Sequence, residues 1–119
     1  MNKKVKSYED LIVWQKSKDL AVFIYKITEK FPKEEKFGIV SQIRRSSVSI
    51  PSNIAEGSRR STSKDFRHFL CIAFGFGAEL ETQSLISREI GLLSKEDYTM
   101  IKDQITEIMK ILNKMISNR

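Results

Sequence analysis

Six cationic side chains crowd into residues 44–67: Arg44, Arg45, Arg59, Arg60, Lys64 and Arg67. Only Glu56 and Asp65 oppose them, so this stretch carries a net +4 of the chain's +6. A further +3 comes from Lys3, Lys4 and Lys6, while residues 7–43 are balanced and residues 68–119 net −1. Five of the six clustered cations are arginine, whose planar fork of N–H donors matches phosphate oxygens. A clustered basic patch is the usual footprint of a nucleic-acid binder. A solvated helix face in a mildly basic protein gives the same pattern, so charge alone leaves both open. At helical spacing, Arg45, Ser49, Ser52, Glu56 and Arg59/Arg60 share one polar face, with Glu56 and Arg60 an i, i+4 pair. Arg44 turns away with Val48, Pro51 and Ala55, a face that reads as a subunit contact or a channel wall.

Other chemistry is sparse. One cysteine excludes an intrachain disulfide, and one cysteine with one histidine excludes the usual single-chain zinc site. His68, between Lys64 and Cys71, reads either as a base or phosphate contact or as an ordinary half-exposed helix histidine, the second being the commoner case. Cys71 falls on an apolar face and reads as a core thiol. Glu79 and Glu81 point about 200° apart on a helix, so they form no carboxylate pair. There is no phosphate-cradling glycine loop. We therefore expect no enzyme, no cofactor and no metal.

The elements that must position these residues are helices. A chain of 119 residues with 40% hydrophobic and 30% charged side chains fits one globular domain, and its 5 glycines and 2 prolines argue against a turn-rich sandwich. The longest stretch free of polar side chains, Phe69–Ala78, is too short to span a bilayer, and Glu9 and Asp10 interrupt any leader pattern. A cytoplasmic protein with no membrane partner is the expectation. Residues 1–7 read as a basic tail and 8–119 as the domain.

Four helical segments are predicted, at about 8–31, 33–57, 63–90 and 95–117. The first carries two apolar stripes, Leu11/Trp14/Ala21/Tyr25/Thr28 and Val13/Leu20/Ile24/Ile27/Phe31. The second has a seam of Val40, Ile43, Ser47, Ile50 and Ile54, with Pro51 inside it removing the bond to the Ser47 carbonyl. The fourth repeats the seam with Tyr98, Ile101, Ile105, Ile108, Leu112 and Met115. Ser7, Thr62 and Ser94 are candidate N-caps, and Gly91 is a candidate stop. The predicted fold is all-α: an antiparallel up-down four-helix bundle, kinked in its second helix at Pro51.

One bundle helix needs only one apolar stripe. The third segment is apolar all round from Phe69 to Ala78, which predicts self-association through Ile72, Phe74, Gly75 and Ala78, with Val48 and Pro51 on the second helix. Gly75 and Gly77 fit close approach of another backbone.

Several short pieces carry a resemblance: Tyr8-Glu-Asp-Leu11 with Trp14; Phe31-Pro-Lys-Glu-Glu-Lys-Phe-Gly38; Gln42-Ile-Arg-Arg45; Ser49-Ile-Pro-Ser-Asn-Ile-Ala-Glu-Gly57; and Phe69-Leu70 with Ala78-Glu-Leu-Glu-Thr-Gln83. Together, over about residues 8–91, they resemble the 23S rRNA intervening-sequence proteins. The resemblance implies a four-helix bundle assembled as a homopentameric ring or barrel, with no established catalytic site. It also implies kinship with the accessory variability determinants of diversity-generating retroelements, basic pentamers that bind nucleic acid and a reverse transcriptase. Arg44, Arg45, Arg59 and Arg60 match basic positions of that pattern. Gly75-Phe76-Gly77 departs from its Gly-Ser/Ala, and Ser84 stands where an apolar residue is expected. The resulting expectation is a non-enzymatic homo-oligomer binding RNA or DNA phosphates through Arg44, Arg45, Arg59, Arg60, Lys64 and Arg67. The alternative is an assembly scaffold with no nucleic-acid contact.

Overall fold

The computed structural model describes residues 7–118; the predicted basic tail lies, but for Ser7, outside them. Four helices follow one another: α1 (Ile12–Thr28), α2 (Ile39–Ser58), α3 (Ser63–Glu89) and α4 (Lys95–Ser117). Each packs on its neighbour in sequence, and α4 closes the ring onto α1; α1 and α3, like α2 and α4, sit on opposite corners. The bundle measures 50 × 26 × 21 Å. This is the predicted up-down arrangement.

Helix ends follow local chemistry. The Thr62 hydroxyl accepts the Asp65 N–H at 3.1 Å, and the Ser94 hydroxyl accepts the Asp97 N–H at 3.0 Å, satisfying donors that the first helical turn leaves free. Gly91 takes φ 86°, open to glycine at no steric cost, and Leu92 N–H reaches back to the Ser87 carbonyl at 2.9 Å, closing α3 with a Schellman turn. Two boundaries differ from the periodic reading. Tyr8–Asp10 forms a separate 3₁₀ turn capped by Ser7, and extended Leu11 (ψ 124°) breaks it from α1. Lys33–Glu35 is likewise a 3₁₀ turn, and α2 begins only after Gly38, whose backbone (φ −106°, ψ −115°) is not helical. Beyond that, α2 runs unbroken through Pro51. The nearby hydroxyls do not serve the Ser47 carbonyl: Ser47 and Ser49 donate to the carbonyls of Arg44 and Arg45, at 2.9 and 2.7 Å.

The core follows the seams. Ile24 of α1, Ile43, Ile50 and Ile54 of α2, Leu70, Ala73 and Leu80 of α3, and Ile101, Ile108 and Leu112 of α4 are fully buried. Each large aliphatic side chain among them contributes roughly 1.5–3 kcal/mol by leaving water. Of the two stripes on α1, Val13/Leu20/Ile24/Ile27 is buried throughout; in the other, Ala21 and Thr28 are buried, Leu11 and Trp14 pack against the core and Tyr25 is exposed. Measured over a longer window, α3 is apolar enough to cross a membrane by length and composition, which the ten-residue run did not suggest. Its Leu70, Ala73, Gly77 and Leu80 face is buried in the bundle.

Two glycines mark where helices touch. A Cβ on Gly57 would lie 2.6 Å from the Phe69 Cβ and 3.0 Å from Phe66 Cδ1, so α2 and α3 meet closely there. Gly77 is buried against Met109 of α4, not turned toward another subunit, whereas Gly75 faces open space. Cys71 is exposed and not in the core, because its side of α3 points away from the other helices. Ser84 is buried with a hydroxyl that has no hydrogen-bond partner among the described residues. Between α1 and α2 runs a groove of about 360 Å³ with carbon-lined walls, including Val22, Tyr25, Val48 and Pro51.

Gly57→Ala should destabilise the fold by about 1–3 kcal/mol through overpacking, despite a helix-propensity gain of about 1 kcal/mol. Gly75→Ala, with free space for its methyl, should stabilise the protomer by about 0.5–1 kcal/mol. Urea unfolding separates the two signs. By the same measure Ser84→Ala should be neutral or stabilising by about 1 kcal/mol, since it removes a buried hydroxyl without a partner.

Candidate nucleic-acid interface

The short turn from α2 into α3 gathers four of the six candidate cations at one end of the bundle. Arg59 caps α2, Arg60 follows it, and Lys64 and Arg67 lie in the first turns of α3. The contact of Gly57 with Phe66 and Phe69 brings these two helix ends together. The N-terminal 3₁₀ turn and the last turn of α4 reach the same end: Arg59 stands 5.5 Å over the Tyr8 ring, and Arg67 Nε donates to the Ile116 carbonyl at 3.2 Å. A cation at the carbonyl end of α4 also complements the helix dipole.

The four cations are held differently. Arg60 donates to Glu56 at 2.7 Å, the predicted i, i+4 pair, and its guanidinium lies 4.7 Å over the Phe69 ring. Both partners of that ion pair are about half exposed, so the pair is worth under about 1 kcal/mol and is weakened by salt. Arg59 and Arg60 thus each lie over an aromatic ring, which attracts a guanidinium while both residues stay exposed at the surface. Lys64 is exposed and has no ion pair among the described residues. His68, beside them, is exposed and meets Phe69 edge-on at 5.6 Å.

Arg44 and Arg45 lie elsewhere. Arg45 is exposed on the outward side of α2, fourteen residues before Arg59, about 21 Å along the helix. Arg44 is committed to the fold. Its Nε donates to Thr28 Oγ1 at 2.8 Å, its Nη2 to the Tyr25 carbonyl at 3.2 Å, and its guanidinium lies 4.4 Å over the Tyr25 ring. Thr28 itself donates to the Ile24 carbonyl at 2.7 Å, so Arg44 binds the last turn of α1 to α2. With Lys33 and Lys36 it lines a cavity of about 370 Å³ at the opposite end of the bundle.

The residues expected at a subunit contact are also divided. Gly75, Ala78 and Val48 are exposed, and Pro51 is buried in the floor of the α1–α2 groove. Ile72 and Phe74 are half-buried, Phe74 packing against the core. Sequence reasoning missed Tyr8, Tyr25 and Phe69 as arginine platforms; the last carried a weak signal, being one turn beyond Phe66 on the helix facing Gly57. Among the described residues no three His, Cys, Asp or Glu side chains gather as a metal set.

A family model described as 23S rRNA-intervening sequence protein matches residues 9–114. No protein of curated function matches. Among solved structures, a crystal structure of a Bacteroides thetaiotaomicron protein of unknown function, from the S23 ribosomal protein family, is similar. The two share 31% identity over 88% of this chain and 98% of that one, with a TM-score of 0.80.

Arg44→Ala should cost about 1–3 kcal/mol of folding stability, from two hydrogen bonds and a cation–ring contact. Arg44→Lys should recover little, because an ammonium cannot make both forked bonds while lying on the ring. Arg59→Ala should cost under about 1 kcal/mol. Denaturation midpoints of the three variants test this division between a fold-holding arginine and a surface one.

Proposed function

This chain belongs to the 23S rRNA-intervening sequence protein family, and from there we propose that it is a non-enzymatic, homo-oligomeric bundle that binds RNA or DNA backbones through one basic end. The observation that carries the reading is the cluster of Arg59, Arg60, Lys64 and Arg67 at the α2–α3 turn. Two of these guanidiniums rest on aromatic rings, and among the described residues one of them, Arg60, is paired with an acid. Arg45 extends the basic surface along α2. Arg44 is left out of the contact set because its donors are engaged within the protomer.

Such a surface positions phosphates without reading bases, so binding is largely independent of sequence. It is also electrostatic: each neutralised phosphate contributes about 0.9 to the slope of log affinity against log salt on duplex DNA. Five copies of a +6 chain, the number the resemblance implies, would build a strong field at low salt.

A second reading has its own support. Arg60 already holds Glu56, and Arg44 shows that arginines in this chain also serve protein contacts. On that reading the bundle is an assembly scaffold, and charge reversal at Arg45 and Arg60 breaks the oligomer while nucleic acid plays no part.

Fluorescence anisotropy with a structured RNA and a duplex DNA, across about 50–200 mM salt, tests the proposal. The wild type should bind at low salt and weaken steeply as salt rises. The variant Arg59→Ala/Lys64→Ala/Arg67→Ala should bind at least tenfold more weakly, with a salt slope flatter by about 2–3 on duplex DNA. No binding of either probe at the lowest salt would reject this function.

A further inference from the structure

The α1–α2 groove is apolar, open and flanked by cations. Val22, Tyr25 and Val48, exposed at 46%, 44% and 39%, form its walls, and the stems of Lys18 and Lys26 border it. Along α1 the outward positions run Lys18, Val22, Lys26, at intervals of four residues. On α3 the same intervals carry the opposite charges around another aliphatic side chain: Glu81, Leu85, Glu89, all exposed. In each triad the charged ends are about 12 Å apart along the axis and about 80° apart around it. The two strips therefore match in length and, with reversed sign, in charge; because both wind with the same hand, they meet at both ends when the two facing helices cross at an angle.

Their placement matters as much as their composition. α1 and α3 occupy opposite corners of the bundle, so their outward strips face away from each other. Both helices run in the same direction, and each strip lies near the C-terminal end of its helix. Two copies standing side by side in the same orientation thus bring Lys18–Val22–Lys26 of one level with Glu81–Leu85–Glu89 of the next. Opposite, non-identical faces make a head-to-tail contact, which closes into a ring or continues as a filament and does not stop at a two-fold dimer.

We propose that the α1–α2 groove of one protomer receives the α3 strip of a second copy, with Leu85 and Ile86 entering beside Val22, Tyr25 and Val48. Glu81 and Glu89 then meet Lys18 and Lys26. The exposed Lys18–Asp19 pair, 2.8 Å apart within the protomer, is weak enough to be replaced. This inference rests on the homo-oligomer reading and specifies which surfaces make it.

The test is mass in solution by light scattering, with circular dichroism as the check on folding. Wild type should be larger than its 13.8 kDa protomer. Lys18→Glu/Lys26→Glu and Glu81→Lys/Glu89→Lys should each keep their helical signal and fall to protomer mass. The chain carrying all four reversals should reassemble, a rescue that a merely structural defect would not give. Independently, Val22→Cys/Leu85→Cys in a Cys71→Ser background should oxidise to a ladder beyond the dimer, since each chain then links to two neighbours. A monomeric wild type would overturn both the oligomer reading and this one. An oligomeric wild type whose reversed-charge variants stay assembled, or whose cysteine variant gives only dimers or no cross-link, would overturn the docking alone.

Discussion

The absence of a side chain at residue 57 governs this bundle's basic end. A helix ending at full width cannot rest its last turn on two phenylalanines, and a Cβ at Gly57 would meet both Phe66 and Phe69. Close contact there lets α3 start within a few residues of the end of α2. It also sets Arg60 over Phe69. The grouping of four cations is thus a packing result before it is an electrostatic one: the chain brings like charges together because the helices that carry them must touch.

The arginines show how little a residue's type says about its use. Arg44 and Arg45 are adjacent, yet one is bound to the last turn of α1 by two hydrogen bonds and a ring, and the other stands in solvent. One residue of helical rotation separates them. Dielectric does the rest, since a half-buried guanidinium with satisfied donors stabilises the fold and an exposed one is available to phosphate or carboxylate.

Much of the architecture was legible in the chain because contrast was present. On α2 and α4 the aliphatic seam alternates with polar residues, and every predicted interior position of the two seams is buried, with Tyr98 and Met115 half-covered at the α4 ends. Thr62, Ser94 and Gly91 act where their local chemistry suggested. On α3 the contrast is weaker: periodicity sets Leu70, Ala73, Gly77 and Leu80 on one face, which is the buried one, but with apolar residues on every side it could not tell that Cys71 stands exposed. The breaks at Leu11 and Gly38 carry no strong stop signal ahead of them. The role of Arg44 was illegible for another reason, since its partners lie sixteen and nineteen residues away and meet it only once the chain has folded. For the candidate interface, the cluster at residues 59–67 was visible in composition, but the aromatic platforms beneath it were not.

The cyclic order of the helices has a kinetic consequence. Three of the four helix–helix contacts join consecutive elements across short connections, and only the contact of α4 with α1 joins distant parts of the chain. Chains dominated by nearby pairings reach their native topology quickly, because little loop entropy is lost before contacts reward it. The α2–α3 hairpin, with its tight glycine contact and short connection, is the most local of these pairings, and the packing of α4 on α1 is the least local. Until α4 docks, the side of α1 that it covers stays open to water.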